Sequence, residues 1–60
     1  MPDGRSLLLA SDLRARAEEI LARAETFHDP DARQMLQKTA ASYVKLAERL
    51  EQRARDVNEA

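Results

Sequence analysis

The stretch "FHDPDARQML", residues 27–36, interrupts an apolar rhythm that continues on both sides of it. Pro30 has no amide hydrogen and its ring clashes with the preceding turn, so a helix arriving from the N-terminal side must end by Asp29. The same proline suits the first position of a new helix, where an amide would be left over anyway. Asp29 is then the N-cap, its carboxylate placed to accept from the amide of Asp31 or Ala32. Asp31 adds negative charge at the positive end of the helix dipole. Ala32 stands where a capping box would need Glu or Gln. The interruption therefore reads as a corner of very few residues between two helices, and short corners make antiparallel neighbours.

Working outward, the apolar residues fall at Leu13, Ala17, Ile20, Ala24 and Phe27 before the corner. They resume at Leu36, Ala40, Tyr43, Ala47, Leu50, Ala54 and Val57 after it. The spacing alternates between four and three residues, which is a heptad seam. Glycine occurs only at Gly4 and proline only at Pro2 and Pro30, so neither long segment carries an internal breaker. The expected elements are a first helix over about 7–27, capped by Ser6 or Ser11, and a second over about 30–57. At 1.5 Å per residue they span about 30 Å and about 42 Å, so Leu50 to Val57 is expected to overhang the hairpin. Residues 1–6 are expected to be disordered ahead of a single helical-hairpin domain covering 1–60.

With Leu13, Ile20, Phe27, Leu36, Tyr43, Leu50 and Val57 at heptad position d, every a position from Ala10 to Ala24 and from Ala40 to Ala54 is alanine. Small residues at a let two backbones approach closely, and alternating large with small layers avoids voids. Ala15 and Ala22 on the outer face show that alanine also serves helix propensity. Two helices of this size shield little apolar surface. The apolar stripe is wider than one seam, with Leu21, Thr39, Val44 and Leu46 beside it, which suits a helix touching two neighbours. The expected fold is all-α: an antiparallel helical hairpin that pairs through a two-fold axis into a homodimeric four-helix bundle, with a tetramer as the variant. Asp12–Arg16, Arg14–Glu18, Glu19–Arg23 and Glu51–Arg55 are opposite charges four apart, whereas Lys45–Arg49 and Arg49–Arg53 are like charges at that spacing.

Composition excludes several classes of function. Without cysteine, neither disulfides nor a thiolate metal cage can hold the chain together. Ten basic side chains against eleven acidic ones leave a net charge of −1, so no long-range field draws the chain to nucleic acid or anionic lipid. Only Leu7 to Ala10 are consecutive apolar residues near the N-terminus. That run is too short for a signal peptide or a membrane span, and a cytoplasmic location is expected.

Candidate chemistry is sparse. Glu25 and His28 match the Glu-x-x-His spacing of di-iron bundles, but they fall at b and e, off the seam, and no glutamate occupies a or d. His28 is better read as a partner for the last carbonyls of the first helix. Ser6, Ser11 and Ser42 have no paired base, Gly4 makes no phosphate loop, and Phe27 and Tyr43 lie on the seam rather than on a stacking platform. No catalytic, cofactor-binding or metal-ligating residue is expected, and no enzyme. Arg16 and Arg23 at g, with Arg14 and Arg5 nearby, could gather into a basic stripe in a dimer, although Asp12 and Glu19 are placed to pair with them.

The segments "RARAEEILARAE" and "AASYVKLAERLE" on either side of the "DPDAR" corner resemble short uncharacterised alphaproteobacterial helical-hairpin proteins. The matching positions are Arg16 to Glu19, Asp29, Pro30, Arg33 and Leu46 to Arg49. Ile20 and Leu21 stand where those bacterial chains put cysteine and arginine. That resemblance implies a helical hairpin and no assigned activity. In architecture the chain is also similar to the plasmid repressor-of-primer (Rop) protein, a hairpin that dimerises over alanine and leucine layers and binds paired RNA loops. The leading expectation is a self-associating protein-interaction module whose partners are a second copy and an unidentified protein. The alternative is Rop-like RNA or DNA binding through the first helix of a dimer. A third is a helical subunit of a larger complex, docked through the end of the second helix.

Overall fold

The structure, a computed structural model, describes residues 4–59, with side chains described over 4–56. It is a hairpin of two helices, α1 (Gly4–Ala24) and α2 (Pro30–Glu59), packed along one another. Their Cα atoms fill an envelope of 48 × 13 × 9 Å, which is one helix deep.

The corner forms as the residues dictate. Asp29 accepts from the Asp31 amide through Oδ1 at 3.1 Å, and its carbonyl accepts from the Arg33 amide at 3.0 Å, so it is the N-cap of α2. The end of α1 comes earlier than the heptad pattern predicts, at Ala24 instead of residue 27. Thr26 is the cause. Its amide and its hydroxyl both donate to the Arg23 carbonyl, at 3.0 Å and 2.7 Å, taking the acceptor that the Phe27 amide would need. Phe27 bonds instead to the Ala24 carbonyl at 3.2 Å, a tighter turn that ends the ladder. The side chain that satisfies the end of α1 is thus Thr26, not His28.

Two other boundaries move outward. Gly4, Arg5 and Ser6, expected to precede the first helix, belong to it, and the expectation for residues 1–3 lies outside the described residues. Ser6 and Ser11 are both inside α1 and neither caps it. Ser6 falls at heptad d and is 7% exposed, so it lies on the buried side of α1. Helix α2 continues to Glu59, beyond the expected residue 57.

The expected overhang of α2 is also absent over Leu50 to Ala54. Ala54 is buried and Leu50 half-buried, while the outward-facing Ala15, Ala22 and Ala41 are exposed, so a helix does not bury alanine by itself. Ala10 and Leu13 of α1 supply the cover. The Arg14–Glu51 contact aligns them with Ala54 and Leu50 and puts the surplus length of α2 at the corner end. Val57, the other end of the expected overhang, lies outside the described side chains.

All six a-position alanines, Ala10, Ala17, Ala24, Ala40, Ala47 and Ala54, are at most 2% exposed, and they are the whole apolar core among the described residues. The large d residues were expected to share that core. Instead Leu13, Ile20, Leu36, Tyr43 and Leu50 are half-buried, and Phe27 is exposed. The physical reason is geometric. At about 100° per residue, d and e lie on either side of a, so helices that meet on their a lines leave d at the edge of the contact.

Candidate functional site

Two edges flank the alanine line, and they differ in chemistry. In an antiparallel pair, like heptad positions meet across each edge, e with e on one side and d with d on the other, with g beyond d. On the e edge Arg14 of α1 reaches Glu51 of α2 through a two-pronged pair, Nε to Oε2 at 2.8 Å and Nη2 to Oε1 at 2.7 Å. The hydrogen bond from Arg14 holds the Glu51 carboxylate below the usual carboxylate range. The same bond, reinforced by its charge, raises the guanidinium. Arg14 therefore spends its charge across the hairpin and not on Glu18, its expected partner along α1.

This pair reveals the register. Of the alignments that keep alanine opposite alanine, one heptad apart, it marks the one that faces Ala10 with Ala54, Ala17 with Ala47 and Ala24 with Ala40. In that alignment the d residues oppose one another as Leu13 with Leu50, Ile20 with Tyr43 and Phe27 with Leu36. On the e edge it leaves Leu21 opposite Val44, with the ion pair between them and Leu7.

The d edge carries no such interruption. Past Ser6 its d rows are apolar, and Leu9 and Leu46 at g widen them, 49% and 46% exposed, with Arg16, Arg23, Thr39 and Arg53 at other g positions. At mid-height lies a cleft of about 170 Å³ lined by Arg16, Glu19, Ile20, Arg23 and Tyr43. Pockets for small molecules run to about 300–1,000 Å³, whereas about 150 Å³ accommodates a group the size of a benzene ring. The cleft has the size of one large side chain.

The remaining candidates are dispersed. Glu25 and His28 are both exposed, and among the described residues no three His, Asp or Glu side chains stand close enough to hold a metal ion. The hydroxyl of Thr26 donates to the Arg23 carbonyl at the end of α1, and those of Thr39 and Ser42 to the Met35 and Lys38 carbonyls of α2. Arg16 and Arg23 share the mid-height cleft with Glu19, and Arg14 faces the opposite edge. Among the described residues, no helix is long and apolar enough to cross a membrane.

Sequence reasoning did not find the Arg14–Glu51 pair or the cleft. Both e positions carry opposite charges, a signal that becomes legible only once alanine is known to face alanine. Comparison with known proteins gives no matching family model, no matching curated protein and no matching solved structure.

Proposed function

We propose that this chain is a small self-associating helical protein that works as a protein-interaction module without catalysis. In this reading the hairpin pairs with a second copy into a four-helix bundle, in the cytoplasm. The observation that supports it is the burial pattern: among the described residues only the six seam alanines and Ser6 are buried, while Leu7, Leu9, Leu21, Phe27 and Leu46 remain at least two-fifths exposed. Stable domains pack two layers around a core, and a hairpin one helix deep supplies one. A second copy offers the missing layer at the lowest cost in new sequence. Self-association makes thermal stability depend on protein concentration. The melting temperature, followed by circular dichroism over a hundredfold range of concentration, should rise steadily. A melting temperature that does not move with concentration would overturn the reading.

A Rop-like nucleic-acid binder is the second reading, and one observation favours it: Arg16 and Arg23 border the same cleft. Glu19 stands between them, and Arg14 is withdrawn into its pair with Glu51. A gel shift with structured RNA and duplex DNA tests it. Binding that weakens steeply with salt supports this reading, and no shift at low salt removes it.

A further inference from the structure

Resting on the self-association reading, we infer that the second copy covers the d edge and that α2 of each copy lies against α1 of the other. Leu46 of each then fills the cleft beside Ile20 and Tyr43 of its mate. The two-fold axis runs along the helices, and every neighbour in the bundle is antiparallel.

Four observations lead there. The d edge carries the larger open apolar rows, Leu13, Ile20, Leu36, Tyr43 and Leu50, and its charges stand outside them at g. On the e edge the Arg14–Glu51 pair bridges the two helices between the apolar residues. The area fits a second copy. A compact monomer of 6.8 kDa exposes about 4,000 Å², whereas this chain exposes 4990 Å². The excess is close to the roughly 800 Å² that each partner contributes to a standard interface.

The cleft supplies the lock. It is an open cleft with room for one large side chain, apolar at Ile20 and Tyr43 and bordered by Arg16, Glu19 and Arg23. The stems of those charged residues can cover a knob while their ends stay in water. Leu46 sits on the same d–g surface, one turn along α2 from Tyr43. The register places it level with Ala17, beside Arg16, so an axis parallel to the helices carries it to the cleft of the other copy.

Charge decides between the two ways of stacking. Placing α1 on α1 would gather Arg16 and Arg23 of both copies on one flank, where like charges repel. Placing α1 on α2 sets Arg16 beside Leu46 and Arg23 near Thr39 instead. The first arrangement would also build a basic stripe, so the topology separates this proposal from a nucleic-acid-binding dimer.

The chain has no cysteine, which makes cross-linking clean. The double variant Arg16→Cys/Leu46→Cys, oxidised at micromolar concentration, should give a band at twice the chain mass on a non-reducing gel. The single variants Arg16→Cys, Arg23→Cys and Leu46→Cys should stay at the chain mass. A covalent dimer from Arg16→Cys or Arg23→Cys alone would place α1 against α1 and overturn the topology, leaving self-association intact.

If the cysteine variants misfold by circular dichroism, side-chain truncation tests the same interface. Leu46→Ala should weaken dimerisation at least about tenfold by sedimentation, and Leu21→Ala, on the e edge, less than about threefold. The reverse order would assign the interface to the e edge. Wild-type protein that sediments as a folded monomer would remove the parent reading together with this one.

Discussion

The alanine line and the rows of large residues beside it are built by the same heptads, yet they do different work. Alanine at a is covered completely because the two backbones close on it, and it has no side chain left to offer a third helix. The residues at d are too large to enter that contact and stand at its edge, half covered by the hairpin and half open. One row holds the hairpin together, and the other leaves it unfinished.

The largest effect should come from the line itself. Ala47 is 0% exposed, and Ala47→Leu would drive the helices apart along their length. Overpacking of this kind costs about 1–3 kcal/mol or more. At about 4–8 °C per kcal/mol for a small domain, melting should fall by roughly 10 °C, read by circular dichroism. The control Ala22→Leu, on the exposed face of α1, should change melting by no more than about 2 °C. Equal losses in the two would erase the distinction between the rows.

Next in size, Ile20→Ala should cost about 2 kcal/mol, because it removes apolar surface from both the hairpin edge and the mid-height cleft. Melting followed at low and high protein concentration sharpens the comparison. The loss should include a concentration-dependent part, while a d residue serving the hairpin alone would give none.

Asp29→Ala should cost about 1 kcal/mol by removing the N-cap of α2. Hydrogen exchange at the amide of Asp31 should speed up, with Ala47 and its neighbours on the alanine line still protected. Exchange that accelerates along the whole of α2 would mean that the corner, and not the line, holds the hairpin together.

The smallest effect belongs to Glu51→Gln, since both partners of the ion pair are solvent-screened. Its sign is fixed by the lowered carboxylate. The pair's contribution is fully present above the ordinary carboxylate range and is lost as pH falls through the depressed value. The small gap in melting temperature between wild type and variant at neutral pH should close as the pH is taken below that depressed value. A gap unchanged by acid would show that the variant acts through packing instead.

Much of this fold was legible before any coordinates. Pro30 and Asp29 marked the corner because each has a single low-energy use there, and six alanines at one heptad position identified the contact line. The ends of α1 were harder to read. Thr26 competes for one particular carbonyl, and Ser6, a residue that favours caps, lies inside the helix on its buried side. Neither signal lies in the periodicity of the chain. The pairing of Arg14 with Glu51 was hidden for a related reason, because register depends on how two faces meet. The open d edge was only partly legible, since its apolar residues were plain but their incomplete cover was not.

Sedimentation equilibrium of the wild-type chain at micromolar concentration tests the central claim most directly, which is that the alanine line alone cannot sustain the fold. The expected result is helical protein at twice the chain mass, losing helix as it dissociates on dilution. A fully helical species at 6.8 kDa, stable across the dilution series, would contradict it.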